Sequence, residues 1–168
     1  MQNTRNPLIF VVIESKIYNN LVVGFLKSKK YRNIMSFTSG AECINNIHLK
    51  PDIIISSYAM EDMNGLEIMK LAKEKDPEVD FFFLSAQNNV DVAVNLVKRG
   101  AYDYIVKDDK ALDRLAKSIE NAINVTKSVK VQQGFKIGVI GFFIILFIII
   151  LIILSLAIFF PDDFSFTF

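Results

Sequence analysis

Through its first 125 residues the chain alternates short apolar runs with stretches of helical periodicity. The runs at residues 8–13, 34–37, 53–56, 81–84 and 104–106 are apolar without interruption by charge, as expected of strands covered on both faces. Between them, Ile17, Leu21, Val22, Phe25 and Leu26 recur at helical spacing and fade into the lysine-rich 27–32. Ser39 is placed to cap a helix from Gly40 to about Asn46, with Glu42 as its capping-box partner. Asn64-Gly65 signals a turn before a helix over 66–75, and Gly100 closes a helix over 90–99 as a C-cap. A last amphipathic helix starts near Asp109, with Leu112, Leu115, Ala116, Ile119, Ala122 and Ile123 on its face. Five β-α repeats predict an α/β, flavodoxin-like (βα)5 doubly wound parallel sheet. In such folds ligands bind outside the carboxyl ends of the strands.

Beyond this region the composition changes. The whole chain has 168 residues, 52% of them apolar, and a mean hydropathy of +0.35. That excess is concentrated in residues 137–160, which carry no charge and one hydroxyl, Ser155. As a helix this segment would span roughly 36 Å, enough to cross a hydrocarbon core of about 30 Å with some tilt. A soluble helix of that length would need polar positions on its outer face, and there are none. All 19 Lys and Arg precede it, with Lys127, Lys130 and Lys136 at its entry, whereas the tail 161–168 carries Asp162 and Asp163. The expected organisation is therefore a domain over 1–125, a juxtamembrane linker over 126–136, a transmembrane helix over 137–160 and a short tail. The positive-inside bias places the domain in the cytoplasm and the tail outside. The linker is open to two forms, a prolonged last helix or a loose tether. Gly134 and Gly138, with Gly141 nearby, have a spacing that lets two helices approach closely, here at the membrane edge beside Lys136.

Several functions are disfavoured by composition. Residues 1–136 carry a formal charge of 19 − 16 = +3 without a basic helix, which is not the balance of a nucleic-acid-binding protein. The first apolar run is too short for the core of a signal peptide, so no cleavable leader is expected. Cys43 has no partner for an internal disulfide, fits a reducing compartment and is read as a small packing residue. His48 stands alone, without companions at metal-ligand spacing. No Gly-rich phosphate loop, nucleophile elbow or paired catalytic carboxylates appear, so an enzyme is not expected and no cofactor or small-molecule substrate is implied.

Three blocks carry a family resemblance. Pro51-Asp-Ile-Ile-Ile-Ser-Ser-Tyr-Ala-Met-Glu-Asp-Met-Asn-Gly65 resembles the phosphoacceptor region of bacterial response-regulator receiver domains. Phe81-Phe-Phe-Leu-Ser85-Ala86 is similar to that family's fourth strand with its Thr/Ser, and Gly100-Ala-Tyr-Asp-Tyr104-Ile-Val-Lys107 to its Gly-Ala-x-x-Tyr/Phe-x-x-Lys. The order and spacing match over roughly residues 7–125. In an active receiver, an aspartate ending the third strand attacks a phosphoryl donor and an acidic pair after the first strand holds Mg²⁺. A Lys clamps the phosphoryl oxygens, the Thr/Ser hydroxyl closes on them and an aromatic residue swings inward.

The resemblance places the phosphoacceptor at Ser57 and the acidic pair at Ile13-Glu14, and it keeps Ser85, Tyr104 and Lys107. A serine hydroxyl is a poor nucleophile without an adjacent base, and one carboxylate plus a hydroxyl makes a feeble Mg²⁺ site. Glu14, Ser57, Ser85, Tyr104 and Lys107 are thus expected to form a degenerate pocket without metal or catalysis, with Lys107 in a structural ion pair to Glu14. The family's Pro after the Lys is Asp108, a change expected to disturb that loop. Ser57 as a kinase substrate is disfavoured by its place at a strand end, and Tyr104 as a rotameric toggle by the commoner packed role. The resemblance implies a phosphorylation-independent interaction module, a scaffold, adaptor or accessory subunit of an assembly in the bacterial inner membrane. The competing expectation is a phosphorelay receiver with an atypical phosphoacceptor.

Overall fold

The computed structural model describes the backbone of residues 6–159, and side chains throughout that range except 126–141 and 152–159. The chain divides into two compact units, Met1–Asn124 and Val125–Phe168. In the first, strands β1 (Ile9–Val12), β2 (Ile34–Phe37), β3 (Ile53–Ser56), β4 (Asp80–Ser85) and β5 (Asp103–Val106) form one sheet in the order β2-β1-β3-β4-β5. All four pairings are parallel. The connecting helices are α1 (Lys16–Ser28), α2 (Gly40–Asn45), α3 (Gly65–Lys75) and α4 (Val90–Lys98), with a short 3₁₀ turn at Ile47–Leu49. Helix α5 follows β5 and covers Ala111–Phe159.

Two-sided burial explains the uninterrupted apolar strands. Alternate residues point to opposite faces, and each face has its own core. Ile9, Val11, Ile13, Ile53, Ile55, Phe82, Leu84 and Ile105 pack with Val22 and Leu26 of α1 and Leu115 and Ile119 of α5. Phe10, Val12, Ile54, Phe81 and Phe83 pack with Cys43, Ile68, Met69 and Leu96 from α2, α3 and α4. Cys43 is fully buried and its thiol is pushed up to about 12 by desolvation, consistent with a packing role. At the amino ends of the strands, the Asp52 carboxylate accepts from the Leu8 backbone N–H at 2.8 Å, and the Asp52 carbonyl accepts from Asp80 N at 3.0 Å.

The helix ends are held by side chains and backbone. Ser39 Oγ accepts from Glu42 N at 3.1 Å, but the Glu42 carboxylate turns to Thr38 N, so the expected reciprocal box is not closed. Asn64, expected as part of a turn, is the N-cap of α3 and closes a full box with Glu67. Gly100 has φ +101 and ends α4, with Gly100 N bonded to Val97 O and Ala101 N to Leu96 O.

Helix α1 corrects one expectation. Its buried residues are Asn19, Val22 and Leu26, whereas Ile17 and Leu21 are 86% and 54% exposed. Spacings of three and four from Val22 and Leu26 lead to Asn19, and Ile17 falls on the far side of the helix.

In the second unit the backbone of residues 126–136 is helical, the prolonged-helix form of the linker. Residues 142–151 are all exposed around the helix, Phe142, Phe143, Ile145 and Phe147 by more than 60%. Among the described residues no helix is long and apolar enough to cross a membrane. Ten described side chains measure only about 15 Å along a helix. The other side chains of the expected span 137–160, the side chains of the glycine-spaced segment and the tail 161–168 lie outside the described part of the chain.

One titration has a clear sign. Burial raises the pKa of Asp80, Lys73 opposes that shift, and Glu78 and Asp52 add to it. A raised carboxylate disfavours its charged form in the fold, so stability is gained as pH falls through the folded pKa, and the penalty persists at neutral pH. Asp80→Asn should therefore raise the urea midpoint at pH 7. The difference should vanish in acid, where both states hold a protonated carboxyl.

Candidate functional site

The registers bring the carboxyl ends of the strands to one edge. Val12 pairs with Ser56, Ser56 with Phe83, and Ser85 with Val106. The residues that follow continue the ladder, with Ser57 N bonded to Val12 O at 3.0 Å and Lys107 N to Ser85 O at 2.8 Å. Glu14, Ser57, Ser85, Tyr104 and Lys107 are thereby placed along that edge.

Their environments differ. Ser57 and Ser85 are buried, Glu14 is exposed, and Tyr104 and Lys107 are half-buried. Ser57 sits where β3 meets the loop to α3. Gly65 N donates to Tyr58 O at 2.8 Å, so the start of α3 is drawn against the strand end. A Cβ at Gly65 would collide with the Ser57 carbonyl oxygen and stand 2.8 Å from the Phe83 ring. Ser56 Oγ donates to the same carbonyl at 2.9 Å. Across the loop, Ala41 N donates to Asp62 at 2.9 Å, and backbone donors led by Ala41 hold the Asp62 carboxyl below its usual range.

Ser85 and Tyr104 both grip the loop after β4. Ser85 Oγ accepts from Gln87 N at 3.1 Å, and Tyr104 Oη donates to Gln87 O at 2.9 Å. The Tyr104 ring lies 6.2 Å from that of Phe83, centroid to centroid.

Lys107 overturns an expectation. It makes no ion pair with Glu14; its Nζ lies 4.2 Å from the centroid of the Tyr18 ring. Burial lowers the lysine pKa. Burial first, and then the Asp108 charge, raise the Tyr18 phenol. Asp108, which stands where the family has Pro, is bonded on both sides of its loop. It accepts from Arg114 Nη1 at 2.9 Å and from Lys110 N at 2.9 Å, and Arg114 Nη2 reaches Val106 O at 2.7 Å. The Arg114 bond, then the Lys110 N–H, hold the Asp108 carboxyl below its usual range. Together they lead the chain from β5 into α5.

Sequence reasoning missed Tyr18 and Asn19. Asn19 is 3% exposed and its Nδ2 donates to Ile13 O at 3.1 Å and Phe37 O at 2.8 Å, joining the ends of β1 and β2 behind Glu14. The signal for Asn19 was its spacing from Val22 and Leu26; Tyr18 carried none, because an aromatic beside a helix start has no fixed partner in sequence. Among the described residues no group of three or more His, Cys, Asp or Glu could hold a metal ion.

Residues 9–120 match the family profile of the response regulator receiver domain. The chain belongs to this family. Similar curated proteins include the regulatory protein LuxO of Vibrio cholerae, 33% identical over 93 residues, which are 55% of this chain and 20% of LuxO. The chemotaxis protein CheY of Listeria monocytogenes is 27% identical over 115 residues, 68% of this chain and 96% of CheY. The chain thus spans a fifth of LuxO, the part similar to its receiver. Among solved structures, the signal receiver domain of a LuxO repressor protein from Vibrio parahaemolyticus superposes with a TM-score of 0.67 at 25% identity, covering 75% of this chain and 96% of that one. A Clostridium thermocellum receiver at 21% identity and TM-score 0.65 shares the fold. Receivers are regulatory domains that interact with proteins, and the strand-end edge described above is this receiver's candidate site.

The close approach at Gly65 is directly testable. Gly65→Ala should destabilise the domain by about 1–3 kcal/mol, the usual cost of overpacking, read as a lower urea midpoint by far-ultraviolet circular dichroism.

Proposed function

We propose that this receiver is a membrane-anchored interaction module that works without phosphorylation, as an adaptor or accessory subunit of a bacterial inner-membrane assembly. The observation that carries it is the hydroxymethyl group of Ser57 at the end of β3, in a receiver whose residues preceding α1 offer one carboxylate, Glu14. Phosphoryl transfer is catalysed by positioning and by charge neutralisation around the transferring group. A buried serine without a neighbouring base supplies neither the nucleophile nor the metal ligand. Lys107 resting on Tyr18 supports the same reading, since the cation that would clamp a phosphoryl group is engaged elsewhere.

With the usual ligand lost, nothing at this edge shifts the domain between conformations, because a ligand moves an equilibrium only by its differential affinity for the two states. One face is then presented constitutively. Around α4, β5 and α5, Val90, Val94 and Val97 are exposed by 72%, 47% and 48%. A hollow of about 370 Å³ beside Tyr104, Asp108 and Arg114 adds relief to that region. This combination of apolar and charged groups suits a protein partner.

Anchoring rests on residues 137–160. Ten consecutive side chains, Phe142 to Leu151, are exposed on every side of the helix, a burden on the order of 10 kcal/mol in water if each is worth about 1 kcal/mol. A bilayer removes that burden. The lysines at the helix entry put the receiver on the cytoplasmic side and the 161–168 tail outside. The boundaries 1–125, 126–136 and 137–160 belong to this proposal.

The second reading, a phosphorelay receiver with an atypical acceptor, draws on the family itself and on Ser57, Ser85 and Lys107 sharing one edge. Phos-tag electrophoresis after incubation with acetyl phosphate and Mg²⁺ separates the two. No retarded band is expected; a band lost in Ser57→Ala would establish the second reading. Anchoring predicts that the chain stays in the membrane pellet after alkaline carbonate extraction, and that a C-terminal periplasmic reporter is active. Release into the supernatant would contradict it. Purification in mild detergent should recover a stoichiometric protein partner; a lone monomer would count against the adaptor role.

A further inference from the structure

Lys107 has a half-buried ammonium and three carboxylates within a short distance in sequence or topology, yet it pairs with none of them. Asp108 is committed to Arg114 and Lys110 N. Glu14 is exposed and makes no ion pair among the described residues, and neither does Asp109. The group facing the ammonium is the Tyr18 ring, 4.2 Å away. A cation over an aromatic face gains energy from the ring quadrupole, more so when desolvated.

Tyr18 is not free to leave. It lies in the first turn of α1, where Ser15 Oγ accepts its N–H at 3.4 Å. The next residue, Asn19, is locked by its two bonds to Ile13 O and Phe37 O. The ring also packs against the core shared by α1 and α5. Adjacent strands are about 4.8 Å apart, so β3 and β5 are separated laterally by roughly 10 Å across β4. A lysine at the end of β5 serves the Ser57–Ser85 edge only if its stem extends along that edge. On Tyr18, its head is held at α1 instead.

We propose that Tyr18 is a built-in competitor for Lys107, holding the ammonium on its ring so that a tetrahedral oxyanion entering the Ser57–Ser85 edge must displace it. The proposal rests on the reading of this edge as one without phosphoryl transfer, and it names the residue that keeps the edge unoccupied. Release of the contact should strengthen oxyanion binding by about tenfold, the factor that corresponds to a cation–π contact of about 1.4 kcal/mol.

The test is an amide NMR titration of the full chain in mild detergent with orthophosphate, without Mg²⁺ or any phosphodonor. Tyr18→Ala should give saturable shifts at Ser57, Ser85 and Lys107 with a dissociation constant about tenfold below wild type, and Tyr18→Phe should match wild type. The gain should disappear in Tyr18→Ala/Lys107→Ala. Should Tyr18→Ala lose its spectral dispersion, Tyr18→Leu keeps apolar cover on the core but removes the π face, and the same gain is expected. Equal affinities in wild type and the ring-less variants, or a gain that survives loss of Lys107, would overturn the proposal. Covalent labelling of wild type with acetyl phosphate and Mg²⁺ would instead overturn the function proposed above, so the two failures are distinguishable.

Discussion

Parallel pairing in a common register governs this receiver. Because the parallel register turns the carboxyl ends of β1, β3, β4 and β5 to the same side of the sheet, with β4 and β5 running two residues past the level of Val12 and Ser56, residues far apart in sequence (Glu14, Ser57, Ser85 and Lys107) are delivered to one edge without any direct bond between their side chains. The register is fixed by two-sided burial. Shifting any strand by one residue would exchange the two face-specific cores, moving Ile9, Val11, Ile53 and Ile55 to the side built for Phe10, Val12 and Ile54. Backbone bonds beyond the strands, Ser57 N to Val12 O and Lys107 N to Ser85 O, carry the alignment into the loops.

On that platform the polar groups near the strand ends are engaged mostly by local partners. The Ser57 carbonyl is crowded by Gly65 and satisfied by Ser56, while Ser85 and Tyr104 both hold Gln87. These contacts rigidify the loops that bound the edge. Lys107, Tyr18, Asp108 and Arg114 form a neighbouring set in which one cation rests on a ring and the other is matched by a carboxylate. Buried cations without a paired acid are costly unless something else solvates them, and the Tyr18 ring fills that role.

Much of the fold was legible in sequence because strand burial and helix spacing are local signals. Residues 34–37 and 53–56 are strands as expected, and Gly100 ends α4 through the positive φ that its missing Cβ allows. Ile17 and Leu21 misled because apolar residues also occupy exposed helix faces, whereas Asn19 is buried for its hydrogen bonds. At the site, motif order singled out Ser57, Ser85, Tyr104 and Lys107, and the fold carries Ser57, Ser85 and Lys107 to the carboxyl ends of β3, β4 and β5. Motif order could not foretell the Tyr18 contact or the Asp108–Arg114 bond, which depend on how α1 and α5 flank the end of β5. The expected Glu14–Lys107 pair failed for the same reason: strand-end adjacency does not set the direction in which a lysine stem leaves the backbone.

The central claim is that this edge no longer accepts a phosphoryl group and therefore holds one conformation. The most direct measurement is an amide correlation spectrum of the full chain in mild detergent, recorded with and without Mg²⁺ and beryllofluoride, which stands in for a transferred phosphoryl group. Superimposable spectra, with Ser57, Ser85, Tyr104 and Lys107 unmoved, are the expected result. Saturable shifts at those residues that spread to α4 and β5 would contradict it.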